Sequence, residues 1–266
     1  MLEQHSFQAY PATHFASGES GRAVFAPHGP RENHLLAALP PEDYEPLLPD
    51  LEPVSLPLGW TVHHAGDRER YLYFLTAGIV SRFYVTQNGA SADFAVTGSE
   101  GVIGIASFLG GGSTPSQAVV LSAGYAYRLG ADRLHDEFEH GGALPSLLLR
   151  YTQALIAQTG QIAVCNRHHS LEQRLCRWIL SCLDRSPSSV LTMTHELIAH
   201  MLGVRREGVT EVAGKLQRAE LIHCSRGHIE VLDRRQMEAQ VCECYAVVKR
   251  EYDRLLPEWR QAEVAS

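Results

Sequence analysis

Arg205, Arg206, Thr210 and Lys215 are the residues whose types and spacing point most directly to a chemistry. Two guanidinium groups, a hydroxyl and an ammonium on one exposed helical face suit phosphate oxygens and base edges. A second set carries sulfur and imidazole: Cys165, His168, His169, Cys242 and Cys244. A Cys-x-x-His with a distant Cys-x-Cys could bind zinc or oxidise as a thiol switch. Against this, Cys-x-Cys is a poorer chelate than Cys-x-x-Cys, helical cysteines two apart face different directions, and cysteine is often buried without any such role. The sequence therefore favours no metal, with Cys165, His168, Cys242 and Cys244 as weak candidates. Metal or thiol-redox sensing through the five residues is the alternative. Catalysis has no residues behind it. There is no nucleophile elbow, Walker motif or His-Glu-x-x-His, and Thr194-His195-Glu196 is a helix start rather than a triad. The chain is not expected to be an enzyme, and no cofactor is expected.

The elements that must position the first set are legible locally. Thr194 is a good N-cap, and Leu197, Ile198, Met201 and Leu202 recur at helical spacing behind it. Gly203 can end that helix in the left-handed conformation. A second helix follows with Val209, Val212 and Leu216 as its buried face. Two short helices joined by a glycine turn form a helix-turn-helix, whose second helix enters the DNA major groove. Leu221 to Cys224 and His228 to Leu232 read as strands around the turn Ser225-Arg226-Gly227, which completes a winged helix.

Upstream, residues 1–30 show no sustained period and read as a flexible N-terminal extension. Asn33 can cap a turn holding Leu35, Leu36 and Leu39, and Pro41-Glu42-Asp43 can open another. From Leu51 to Leu129 short apolar runs alternate with turn signals, among them Ala77-Gly78 and Asn88-Gly89. Such spacing implies antiparallel strands in a sandwich or barrel, with Tyr71–Leu75 and Ile79–Val85 as separate strands. Gly110 to Ser116 must be a loop within that unit. From Ala143 the pattern is helical. Leu144, Leu148, Tyr151, Leu155, Gln158, Ile162 and Cys165 are spaced 4, 3, 4, 3, 4, 3, a heptad stripe that suits pairing with a second copy. Asn166 is expected to cap or kink the chain, a further helix to run through Leu171 to Leu183, and Arg235 to Leu256 to form a last helix or pair. The expected division is 31–142 as a β-barrel sensor domain, 143–165 as a dimerisation helix, and 166–266 as a winged-helix domain with a helical extension.

Composition fits a globular chain: 45% apolar and 20% charged residues, with no run apolar enough to span a membrane. MLEQHSFQAY lacks the basic and apolar regions of a signal peptide, so a cytoplasmic location is expected. The net charge of −7 hides an asymmetry. Residues 1–164 carry 8 basic and 16 acidic groups, whereas residues 165–236 carry 11 and 8. Phosphate contact therefore belongs to the C-terminal half.

The order barrel, long helix, winged helix resembles the Crp/Fnr family of bacterial transcription regulators. Thr194, Leu197 to Ala199, Gly203, Arg206-Glu207 and Val209 fall where that family's helix-turn-helix keeps its Thr, apolar-Ala core, turn Gly, Arg-Glu pair and Val. Asn166-Arg167-His168-His169 followed by Gln173-Arg174-Leu175 looks like one branch of it. The resemblance implies an α+β chain, with a cyclic-nucleotide-binding-like jelly roll, a long dimerisation helix and a winged helix. It implies a homodimer on two-fold symmetric double-stranded DNA, with RNA polymerase as a further partner and no membrane. Arg206 would read a guanine edge, Glu207 would accept from a cytosine amino group, and His195 and Arg205 would touch phosphate. Thr194, Thr210, Lys215 and Arg226 complete the expected DNA-binding set with Glu211. Glu211 stands where the cyclic-AMP receptor has a second Arg, so the half-site sequence does not carry over. The effector pocket would lie at Gly101-Val102-Ile103-Gly104 and Ser116-Gln117-Ala118, after Pro115. The Glu that holds the ribose and the Arg that neutralises the cyclic phosphate are both missing there, so tight cyclic-AMP binding is not expected. The first cysteine is Cys165, which excludes the N-terminal iron–sulfur cluster of the oxygen sensors. His63 and His64, adjacent on a strand, read as solvent-facing or turn residues rather than haem ligands.

Overall fold

The computed structural model describes residues 29–186 and 188–257. The expected N-terminal extension therefore lies almost wholly outside the described residues. Asn33 caps the first short helix, α1 (His34–Ala37): its side-chain oxygen accepts from the amides of Leu35 and Leu36. Its amide nitrogen donates to Leu75 and Gly101 carbonyls at 2.9 Å. One buried side chain thus satisfies its own groups and fastens the helix to the sheet. Pro41 opens α2 (Pro41–Tyr44), as its position ahead of Glu42 and Asp43 suggests.

Six antiparallel strands follow: β1 (Glu52–Leu56), β2 (Thr61–His63), β3 (Tyr71–Val85), β4 (Ser91–Thr97), β5 (Val102–Ile103) and β6 (Gln117–Gly130). The ladder runs β1-β6-β3-β4, with β2 on β6 and β5 on β3, so this jelly-roll-like sheet is an open path rather than a closed ring. Tyr71 to Val85 form one strand, not two. Gly78 adopts φ +90° and the register shifts around it, so Ala77-Gly78 bends the strand instead of turning it back. A Cβ on Gly78 would lie 2.6 Å from the Ser122 carbonyl oxygen, which keeps this crossing open only to glycine. Asn88-Gly89 does turn the chain between β3 and β4, with Gly89 at φ +83°.

After α3 (Ala131–His140) comes α4 (Ala143–His168), a helix of 26 residues. It runs past Asn166. The break falls at His169, where Ser170 and Gln173 form a capping box that starts α5 (Leu171–Leu183). The stripe Leu144, Leu148, Tyr151, Leu155, Gln158, Ile162 and Cys165 is buried within the single chain. Its cover comes from the sheet and from α9 (Cys244–Leu255), which returns along α4. Tyr252 Oη donates to Gln158 Oε1 at 2.7 Å, and Arg150 donates to the Leu255 carbonyl at 3.0 Å. In this arrangement these seven side chains are not available to a second copy. The heptad period marks a buried face, but the chain itself does the burying.

The C-terminal unit contains β7 (Val190–Thr192), α6 (His195–Leu202), α7 (Arg206–Arg218), β8 (Ile222–Ser225), β9 (His228–Val231) and α8 (Arg234–Gln240). β7 adds a third strand to the wing, in the order β7-β9-β8. This unit is seated on the sheet. Its core is continuous with Ile79, Phe83, Val96, Val119 and Leu121. Trp178 Nε1 donates to Asp93 Oδ2 at 2.7 Å, and Arg185 pairs with Glu100 at 2.6 Å, all four largely buried.

Asp93 titrates abnormally because of this seat. Burial pushes its carboxyl from 3.8 up to about 6, against the opposing Arg177 charge and the Trp178 hydrogen bond. Stability from the neutral carboxyl is complete below about pH 4 and is lost as pH rises through about 6. A pKa difference of about two corresponds to about 3 kcal/mol. Asp93→Asn should keep an acceptor for Trp178 and flatten the pH dependence of thermal unfolding between pH 4 and 7. Parallel profiles for the two proteins would show that Asp93 does not titrate there.

Candidate nucleic-acid interface

Local signals and long-range packing together aim α7 outward. Thr194 Oγ1 accepts from the Leu197 amide at 3.1 Å and starts α6. Gly203 ends it at φ +65°, and a Cβ there would meet the Ser91 carbonyl at 3.1 Å. Arg174 holds the turn from behind: its guanidinium donates to Asn166 Oδ1 and to the Leu202 carbonyl. Asn166 therefore links the end of α4 to the end of α6. Val209, Val212, Ala213 and Leu216 bury the inner face of α7. Gln217 accepts from the Cys224 amide at 2.9 Å and ties the helix to the wing.

Arg205, Arg206, Glu207, Thr210, Glu211 and Lys215 are all exposed on the start and outer face of α7. Thr194 and His195 are half-buried beside it. His195 Nδ1 lies 3.1 Å from Thr210 Oγ1, which in turn donates to the Arg206 carbonyl. Partial burial and the Arg206 charge hold the His195 pKa below its usual value. That shift disfavours the charged imidazolium beside the Arg206 guanidinium. Glu211 is paired with Lys215 at 2.9 Å, and that ion pair lowers the glutamate pKa and raises the lysine pKa. The acid that would repel a phosphate thus carries its own counter-ion, and the lysine is partly spent on it. Arg226 sits exposed at the wing tip. Its φ of +46° and that of +83° at Gly227 describe a two-residue turn of the hairpin type.

Two family descriptions cover most of this architecture in order. Residues 53–140 match the cyclic nucleotide-binding domain, and residues 173–240 match the Crp-like helix-turn-helix domain. The chain belongs to the Crp/Fnr family. The global nitrogen regulator of Synechococcus elongatus is 24% identical over 184 residues, which are 66% of this chain and 83% of that protein. Among solved structures, a Crp/Fnr-family protein from Eubacterium rectale superposes with a TM-score of 0.63 at 16% identity, covering 77% of this chain and 96% of that one. FixK2 from Bradyrhizobium japonicum gives 0.63 at 14%, covering 72% and 98%. At those identities the structures speak to the fold. The helix-turn-helix match makes this Crp/Fnr chain a DNA-binding transcription regulator. Among the described residues no helix is long and apolar enough to cross a membrane.

The expected effector residues Gly101, Val102, Ile103, Gly104, Ser116, Gln117 and Ala118 are all buried. Val102 and Ile103 pair with Phe74 and Tyr73 of β3, and a Cβ on Gly101 would lie 2.5 Å from the Tyr151 ring. The segment is pressed against α4. A polar group that sequence reasoning missed lies on the sheet. Arg82, 3% exposed, donates to Thr97 Oγ1 and Tyr151 Oη, while its Nε and Gln117 Oε1 have no partner among the described atoms. His63 Nε2 is 3.5 Å from Glu69 Oε1, and Glu69 accepts from the Ala106 amide. His63 is therefore buried, not solvent-facing, and desolvation pushes its pKa down to about 4. The available signal was Arg82 itself, a lone charge between apolar neighbours in Ile79-Val80-Ser81-Arg82-Phe83.

The structure also gathers Cys165, His169, Cys242 and Cys244, and leaves His168 exposed outside the group. The expectation that Cys242 and Cys244 diverge fails because they are not on one helix. Val241 to Glu243 break the path between α8 and α9, which turns both thiols to one point. Cys176 and Cys182 lie elsewhere in the core. Burial pushes the Cys176 thiol up to about 12 and Cys182 further still, so both act as apolar packing.

Glu211→Gln should free Lys215 for phosphate. The dependence of DNA affinity on salt should then steepen by about one ion, measured by titrations across a salt series. An unchanged slope would place Lys215 away from the DNA.

Proposed function

We propose that this regulator acts as a homodimer on a two-fold symmetric operator, reading base edges with α7. The exposed face that begins at Arg205 and Arg206 supports the reading most directly, because an outward Arg at a fixed helix start suits bidentate pairing with guanine. Glu207, exposed one residue on, would accept from a cytosine amine. Thr194, His195, Arg205, Thr210, Lys215 and Arg226 surround the site as phosphate and edge contacts, and Glu211 modulates it. The sensor domain spans 31–142, the long helix runs from 143 to its break at His169, and the DNA-binding unit with its helical extension follows. The protein works in the cytoplasm with RNA polymerase as its further partner.

Pairing runs along the outer face of α4. Ser146, Leu149, Gln153, Ile156, Gly160 and Ala163 repeat the 3, 4 spacing on the side opposite the buried stripe. Leu149, Ile156 and Val164 are 52%, 68% and 49% exposed, an apolar band that suits a second copy. Two copies would set half-sites about 34–36 Å apart. Ile156→Glu should convert a dimer to a monomer in sedimentation, and a dimer that survives would move the seam elsewhere.

The effector is not cyclic AMP. The segments at Gly101 and Ser116 lack its ribose and phosphate partners, and Arg82 is already bonded to Thr97 and Tyr151. An effector that competes for Arg82 would act on α4 through Tyr151. Calorimetry with cyclic AMP should show no sub-micromolar binding.

Arg206→Ala should weaken specific binding by about 1–3 kcal/mol and leave non-specific binding nearly intact, in mobility shifts of the protein's own upstream region. Equal affinity of both proteins for the specific site would sink the placement of α7.

A further inference from the structure

We propose that Cys165, His169, Cys242 and Cys244 form a tetrahedral zinc site that locks the end of α4 to the start of α9. Three chain segments supply the ligands. Cys165 lies on the last turns of α4, His169 on the break before α5, and Cys242 and Cys244 at the break before α9. All four ligand atoms lie within 4.8 Å of one another. Cys165 Sγ and Cys242 Sγ are 3.6 Å apart, and Cys244 Sγ is 3.4 Å from His169 Nδ1. Zinc with thiolates at about 2.3 Å and an imidazole nitrogen at about 2.0 Å sets tetrahedral edges of about 3.8 Å and 3.5 Å. The Cys165–Cys242 and Cys244–His169 separations lie within about 0.2 Å of those edges, and every other pair stays within 4.8 Å.

The surroundings are those of a metal centre. His169 turns Nδ1 toward the thiols and Nε2 toward the Glu243 carboxylate at 3.3 Å. A carboxylate on the far nitrogen fixes the tautomer and strengthens the imidazole as a ligand. Gln161 Nε2 donates to Cys244 Sγ at 3.1 Å, as suits a thiolate. The three sulfurs are buried, and Val241 packs on them. A disulfide between Cys165 and Cys242 would use two sulfurs and leave the His169–Glu243 pair and the Gln161 bond without a purpose. Three sulfurs and one nitrogen select a soft or borderline ion in tetrahedral geometry, and zinc is the one without redox demands.

The test uses the full chain, free of any tag, purified under reductant without chelator. Plasma mass spectrometry should find about one zinc per chain. Cobalt(II) in its place should give the thiolate charge-transfer and visible bands of a tetrahedral site. Cys242→Ser, Cys244→Ser and His169→Ala should each lose the metal, and His168→Ala should keep it. Glu243→Gln, a surface change that leaves the core alone, should weaken zinc about 10–100-fold against a chromophoric chelator. A folded chain that takes up neither zinc nor cobalt would overturn the proposal. So would equal loss in His168→Ala, unchanged affinity in Glu243→Gln, or iron in place of zinc. Metal content is read without DNA, so its failure and a failure of the Arg206 experiment are separate results.

Discussion

The hydroxyl of Tyr151 sits where three parts of the chain meet. It lies within hydrogen-bond distance of Arg82 and Thr97 on the sheet, and it donates to the Val102 carbonyl. Its ring stands edge-on to Tyr252 of α9 at 6.3 Å, and close enough to Gly101 to forbid any side chain there. Each unmet donor of a buried guanidinium costs free energy, and the Nε of Arg82 is unmet among the described atoms. Arg82 meets hydroxyls instead of a carboxylate, and one of those hydroxyls belongs to α4. The electrostatic state of the sheet and the position of the long helix are therefore one variable. Whatever alters the partners of Arg82 must be felt at Tyr151.

From α4 the constraint passes to the DNA-binding unit by two routes. One runs through the hinge, where Asn166 holds Arg174 and Arg174 holds the end of α6. The other bypasses the hinge. Asp93–Trp178, Glu100–Arg185 and Ser91–His200 pin α5 and α6 directly to the sheet and its edge at β4. The Glu100–Arg185 pair is buried on both sides, so separating the unit from the sheet would expose two charges to new surroundings and uncover Trp178. Packing of this density resists continuous deformation, and an effector could move the unit only by its difference in affinity between the seated position and another.

The helix-turn-helix was legible because its signals are local. Thr194, the spacing of Leu197 to Leu202, and Gly203 each specify their own geometry within a few residues, as do Asn33 and Asn88-Gly89. Legibility failed where the decisive partner is distant in sequence. The stripe from Leu144 to Cys165 states that one face of α4 is buried. It cannot state that Tyr252 and Leu255, about a hundred residues on, do the burying. Gly78 reads as a turn until Gly124 is seen to need the same space. Cys242 and Cys244 read as divergent until the break at Val241–Glu243 is seen. His168 and His169 are indistinguishable in sequence, and only the end of α4 between them decides which one faces the thiols.

The two faces of α4 then divide the work in a way that neither alone would require. The inner face is committed to the sheet and α9 by Gln158, Tyr151 and Cys165, so it has no freedom to exchange partners. The outer face carries Leu149, Ile156 and Val164, each about half exposed or more among the described residues. A rotation of α4 cannot change the inner packing without breaking the Tyr151 and Gln158 bonds, and any such rotation would swing the outer band by the same angle. The sheet, the hinge at His169 and the outer seam are thus coupled through one rigid rod. The site at Cys165 matters to this coupling because it sits at the end of the rod where the DNA-binding unit begins.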